Sequence, residues 1–249
     1  MTISPFDTIA AVSTPFGKGG VAVIRLSGDE AVAVAGRVFF PMNGKSLADT
    51  APRTAVYGLI RDPDSGEVLD DGLCTVFQAP CSFTGEDTVE LSCHGGVLVT
   101  RNVLEACLRA GARQALAGEF TRRAYMNGKL ELERAEALGN LLDAGNDEQV
   151  KLARAGMNGL LTSSAEEVYT DLMAVLSNME AGMDFPEEDL TEMPFEEIRA
   201  AIMKTETTVR GLVDTYRTGR AIAEGIPTVI CGPPNDCRKR SYPRWGGRK

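Results

Sequence analysis

Two hydrophobic rhythms divide the chain. Up to about Gly118, short apolar runs alternate with turns rich in glycine and proline, the pattern of strands joined by tight connections. Asp7 to Val12, Val21 to Ser27, Ala55 to Ile60, Gly72 to Gln78 and Thr88 to Cys93 read as strands, while Asp29 to Phe39 and Gly95 to Ala110 carry helical spacing. From Thr121, Gly and Pro become rare and the apolar period lengthens. Leu130 to Ala144 reads as one helix and Pro194 to Ala223 as another. Between them Asn146 to Met183 reads as a longer helix, with Met157, Leu161, Ala165, Val168, Leu172, Val175 and Met179 three or four residues apart. The fold class is α+β. A mixed α/β domain spans residues 1–118, an incomplete α-helical bundle spans 119–223, and residues 224–249 show no periodicity. Three amphipathic helices bury one another only in part, so an apolar stripe within residues 146–216 is expected to stay exposed and to promote association.

Composition narrows the class of protein. Of 249 residues, 43% are hydrophobic and 24% charged, which is ordinary globular usage. No apolar run is long enough for a membrane span and no basic, apolar leader opens the chain, so a cytoplasmic protein without membrane contact is expected. The six cysteines (Cys74, Cys81, Cys93, Cys107, Cys231 and Cys237) form no CxxC pair. They read as reduced, partly buried residues and not as metal ligands. The net charge of −9 argues against nucleic-acid binding over the whole surface. From Gly232 onward, however, basic residues dominate, and the tail from Ser241 to Lys249 reads as disordered.

Four stretches carry candidate chemistry. Gly17-Lys18-Gly19-Gly20 precedes a strand, the wrong order for a phosphate cradle, which should precede a helix. In that strand, Arg25 falls by alternation with Val21 and Val23, so its guanidinium must be paired or must hold a ligand. On the strand from Thr88, Val89, Leu91 and Cys93 share the buried face, which leaves Glu90 on the other. It is either a solvated carboxylate or an acceptor for heterocycle N–H groups. His94 is the only histidine. With Gly95 and Gly96 beside it, it reads as structural. Lys129 follows the turn Asn127-Gly128 and leads the next helix, where a cation opposes the macrodipole. It is either solvated or used. Finally, Thr228 to Gly232 looks like the first strand of a nucleotide-binding domain, but Gly-x-x-x-x-Gly-Lys-Ser/Thr fails after Asn235, where Cys237, Arg238 and Lys239 stand.

Taken together, several motifs resemble the MnmE (TrmE) family of tRNA-modification GTPases. They are Asp7-Thr8-Ile9-Ala10-Ala11 with Thr14-Pro15 and Gly17-Lys18-Gly19-Gly20-Val21; Ser82-Phe83-Thr84-Gly85-Glu86-Asp87 through His94-Gly95-Gly96; Gly118-Glu119-Phe120-Thr121 through Lys129-Leu130-Glu131-Leu132 and Ala135-Glu136-Ala137; and Asp184-Phe185-Pro186-Glu187-Glu188. The resemblance implies a folate-binding, dimerising N-terminal domain, followed by a helical domain into which a GTPase domain is inserted. It implies a homodimer, a flavoprotein partner, MnmG (GidA), and a tRNA substrate whose wobble uridine receives an aminomethyl-type group at C5. The cofactor would be a tetrahydrofolate derivative, 5-formyl- or methylene-tetrahydrofolate, with its contacts falling on Arg25, Glu90 and Lys129. Gly232 and Asn235 remain from the family's phosphate loop. Its loss within one motif implies a truncated or frame-shifted copy that does not bind GTP, Mg²⁺ or K⁺. The alternatives are a non-catalytic folate-binding dimerisation module and a non-functional remnant.

Overall fold

The computed structural model describes residues 7–184 and 193–229. The motif residues Phe185 to Glu188, Cys231, Cys237, the loop remnant Gly232 and Asn235, and the basic end all lie outside the described residues. The chain divides into two compact units, the first ending at Ala135 and the second beginning at Glu136. The α+β class follows from a sheet-and-helix first unit and an all-helical second one.

The first unit is a seven-stranded sheet built from β1 (Ile9–Val12), β2 (Val21–Ser27), β3 (Phe39–Pro41), β4 (Ala55–Arg61), β5 (Val68–Phe77), β6 (Thr88–His94) and β7 (Arg113–Gln114). The spatial order is β3-β4-β5-β6-β2-β1-β7, antiparallel throughout except for the parallel β1–β7 edge. Two helices, α1 (Ala31–Val38) and α2 (Val97–Arg109), cover one face. Alternation decides which residues they bury. Ala22, Ile24 and Leu26 of β2 and Val89, Leu91 and Cys93 of β6 pack against Val34, Val38, Val103 and Cys107. The apolar stripe of β2 that forms the core is therefore the one that alternates with Arg25. Val21, on the same face as Arg25, is exposed.

The strands expected from periodicity are all present. Strands β3 and β7, of three and two residues, are too short to show a period of two. A third helix, α3 (Glu119–Met126), was also not anticipated. It carries the first unit past residue 118, where the pattern placed a boundary, because Glu119 and Arg123 are ion-paired to Arg113, Asp7 and Glu86 of that unit.

The second unit comprises α4 (Leu132–Asp143, which begins in the first unit), α5 (Asp147–Met157), α6 (Leu160–Asp184) and α7 (Phe195–Glu224). The single helix expected over Asn146 to Met183 is two helices. Asn158 ends α5, and Gly159 takes the left-handed conformation at φ 71°, which other residues adopt only at a cost. Gln149 donates from Nε2 to the carbonyls of Ile222 and Ala223, satisfying groups that the end of α7 leaves free. Few apolar side chains are fully buried here, among them Ala137, Ala153 and Val175. Leu172, Met173, Leu176 and Met179 of α6 and Ile202, Val209 and Val213 of α7 remain exposed.

Two outcomes follow. The pairing of Gly58 with Gly72 lets β4 and β5 approach their neighbours, and a Cβ on Gly72 would meet the Ser92 carbonyl oxygen at 2.0 Å. Gly72→Ala should lower stability by about 1–3 kcal/mol in urea unfolding, the cost of overpacking, and an unchanged midpoint would refute the close approach. The α6–α7 stripe should drive concentration-dependent association in light scattering, which Leu172→Glu with Val213→Glu suppresses. Monodisperse wild-type protein at high concentration would count against it.

Candidate ligand site

Strands β2 and β6 run antiparallel with Arg25 directly opposite Glu90. Their side chains meet on the open face of the sheet, with Arg25 Nε donating to Glu90 Oε1 at 2.9 Å and Nη2 2.7 Å from the same oxygen. Each is about one-quarter exposed. Arg25 is thus paired with Glu90. Oε2 of Glu90 and Nη1 of Arg25 have no protein partner among the described residues, so the pair keeps an acceptor oxygen and the two N–H donors of Nη1. The rings of Phe83 and Phe120 lie 5.5 and 5.8 Å from the guanidinium carbon, within cation–π range. These rings were not anticipated, because their neighbours give them no periodic signature.

Lys129 occupies a different position from the one expected. It does not lead a helix, since α4 begins only at Leu132. Its N–H donates to the Ala124 carbonyl, so it lies at the C-terminal end of α3, where a cation is favoured by the dipole and not opposed. Its Nζ donates to the Pro80 carbonyl at 3.0 Å. A Cβ on Gly85 would touch its stem, at 3.1 Å from Cγ. Arg25 and Glu90 are thus in direct contact. Lys129 joins them through the 78–87 loop, touching it at Pro80 and Gly85 while Arg25 meets it at Phe83.

That loop is anchored by a buried polar cluster. Ser27, Thr84 and Thr88 are buried and share hydroxyl hydrogen bonds, and Ser27 also donates to Glu86 at 2.7 Å. Arg123, almost wholly buried, bridges Glu86 to Asp7, and Arg113 joins Asp7 to the buried Glu119. Asn127 donates to the Thr84 carbonyl. Charges out of water persist only when paired, and here three carboxylates face two guanidiniums from four separate segments. Asp7, Glu86 and Glu119 sit in the sequence motifs, yet nothing in their spacing revealed that they share one cluster.

Arg113 hydrogen bonds hold both Asp7 and Glu119 below their ordinary carboxylate range, against the opposing effect of burial. The same bonds push Arg113 well above the usual arginine value. Elsewhere, the Nδ1 of His94 lies 2.8 Å from Asp70, which also accepts the His94 N–H. That bond raises the histidine pKa. Asp70, Asp71 and His94 have the spacing of a metal site; both Asp70 oxygens are engaged by His94, and Asp71 accepts from the Tyr57 hydroxyl. Burial pushes the thiols of Cys74 and Cys107 up to about 12 and that of Cys93 to about 11, which keeps them protonated.

A family model described as GTP-binding protein TrmE N-terminus matches residues 8–129, and one described as MnmE helical domain matches residues 132–241. A tRNA modification GTPase MnmE from Geobacillus kaustophilus is 41% identical over 234 residues, which is 94% of this chain and 51% of that protein. Proteins of the same name are 38% identical over 94% of the chain in Lacticaseibacillus paracasei and 40% over 92% in Acetivibrio thermocellus. The chain spans about half the length of these curated relatives. Among the described residues no helix is long and apolar enough to cross a membrane.

The charge cluster makes a testable statement about stability. Asp7 and Glu119 are lowered from 3.8 and 4.5, so their stabilisation is complete above those values and is lost as pH falls through the depressed folded values. Glu119→Gln should cost about 1–3 kcal/mol near neutral pH, because it replaces a buried acceptor oxygen by an amide donor that faces the N–H groups of Arg113 or Leu116. The variant should also show a shallower loss of stability below about pH 4.5 in urea titrations. Parallel acid limbs for variant and wild type would refute the assignment. Two models of one family, matched in order at residues 8–129 and 132–241, leave one conclusion about kinship: this chain belongs to the MnmE (TrmE) family.

Proposed function

We propose that the first unit binds a tetrahydrofolate derivative, 5-formyl- or methylene-tetrahydrofolate, on the open face of its sheet. The observation that carries this reading is the Arg25–Glu90 pair, half-satisfied and flanked by two phenyl rings. A pterin presents an amino-oxo edge, with N–H donors beside a carbonyl acceptor, on a flat aromatic body. Oε2 of Glu90 would accept from the donors, Nη1 of Arg25 would donate to the carbonyl or to a carboxylate, and the rings of Phe83 and Phe120 would contact the flat face. Lys129 would hold a carboxylate or carbonyl further along the ligand, which requires its ammonium to leave the Pro80 carbonyl. When bound, the folate would supply a one-carbon unit.

On this reading the chain serves tRNA modification as its relatives are named for doing, as a homodimer through the first unit and with the MnmG flavoprotein, at C5 of the wobble uridine. The loss of the Gly-Lys-Ser sequence after Asn235 favours a chain that binds folate and dimerises without hydrolysing GTP. A domain organisation of folate-binding part, partial helical part and broken GTPase start accords with this.

Calorimetric titration of the full chain with 5-formyltetrahydrofolate should give saturable binding. Arg25→Ala and Glu90→Gln should each weaken it by about tenfold or more, the value of one charge-assisted hydrogen bond. Lack of binding by a folded chain would overturn the reading. Unchanged affinity in both variants would move the site elsewhere.

A further inference from the structure

The glycine loop at residues 17–20, in the wrong order along the chain for an anion site, is in the folded protein part of a cavity. It leads into β2, yet it is stapled to the turn between β6 and α2: Gly19 N–H donates to the Gly95 carbonyl at 2.9 Å, and a Cβ on Gly95 would strike the Gly19 oxygen at 2.5 Å. Between this loop and α2 lies a cavity of about 450 Å³. That falls in the usual range for small-molecule sites, roughly 300–1,000 Å³.

The lining has a definite chemistry. Val12, Ala22, Val97 and Leu104 supply apolar walls, and Phe16, 90% exposed, stands in the loop at its edge. Two cations, Lys18 and Arg101, also line it, and no carboxylate does. In a chain of 35 acidic and 26 basic residues, that is charge selection opposite to the rest of the protein. Arg101 has one exposed ion pair, with Glu105 one turn along α2. Lys18 has no ion pair or hydrogen bond among the described residues. Neither Arg25 nor Glu90 lines the cavity, which is therefore separate from that pair.

We propose that this cavity is a second binding site, for a small amphipathic carboxylate: an apolar or aromatic body seated against Val97 and Leu104, with its anion held by Lys18 and Arg101. A largely apolar lining that includes two cations favours that class over a neutral hydrophobe, which would leave Lys18 unused, and over a compact polar anion, which would leave the walls wet.

The test is an NMR titration of the full chain with 4-phenylbutyrate, using 4-phenyl-1-butanol as the uncharged control. The amides of Gly17, Gly19 and Gly95 should shift saturably with the acid. Lys18→Glu with Arg101→Glu should weaken binding by about tenfold or more at an unchanged melting temperature, and so should replacing the acid by the alcohol. Equal binding of acid and alcohol would overturn the proposal. So would shifts confined to residues 160–184 and 195–224, or loop amides that respond to protein concentration and not to ligand, which would make the cavity an interface between copies. Since Lys18 and Arg101 take no part in the folate reading, 5-formyltetrahydrofolate affinity should be the same in the double variant.

Discussion

The antiparallel ladder between β2 and β6 holds the first unit's chemistry in place. Seven residue pairs, from Val21 opposite His94 to Ser27 opposite Thr88, fix one register. A shift of one residue would turn Ile24 and Leu91 out of the core and turn Arg25 and Glu90 into it. The register is therefore enforced by the apolar face. The polar pair on the opposite face is placed by that constraint and need not supply the energy for it. The same ladder sets Ser27 beside Thr88 and brings Gly95 onto Gly19, so one pairing organises the buried hydroxyl cluster, the open-face pair and the stapled loop.

Around this ladder the molecule uses charge in two ways. On the open face, Arg25 and Glu90 are partly exposed and incompletely satisfied, an arrangement suited to exchange with a ligand. Behind the 78–87 loop, Glu119 and Arg123 are almost wholly buried, and with Glu86, Asp7 and Arg113 they form one continuous ion-pair network. Charges of the second kind are costly to separate, so they hold α3 and the loop in one position. Phe83 and Phe120 ride on those two segments, which is how a cluster that touches no ligand governs the walls of the site.

The two units differ in how far they satisfy themselves. The first closes a core between sheet and helices, with a run of wholly buried side chains from Ile24 to Val103. The second has long helices whose apolar faces exceed what the four of them bury, and its fully buried apolar residues are mostly alanines. Helices of this length form readily from their own spacing, whereas a bundle needs matched surfaces.

By itself the sequence determined where the longer strands and the helices α1 and α2 form, because periods of two and of three to four are local properties of neighbouring residues. It also marked Arg25, Glu90 and Lys129 as charges in need of a purpose, through alternation and turn chemistry. It could not reveal whether Arg25 was paired, since Glu90 lies 65 residues away and only the strand register brings them together. Nor could it anticipate that Lys129 ends one helix and does not begin the next, that Gly159 breaks a long helix, or that four motif charges share one cluster with Arg113. The glycine loop makes the same point: its order along the chain argued against an anion site, and the packing of β6 and α2 against it supplied the missing walls. Local pattern is written in adjacent residues, whereas sites are made of side chains from distant segments, and only the folded chain decides which of them meet.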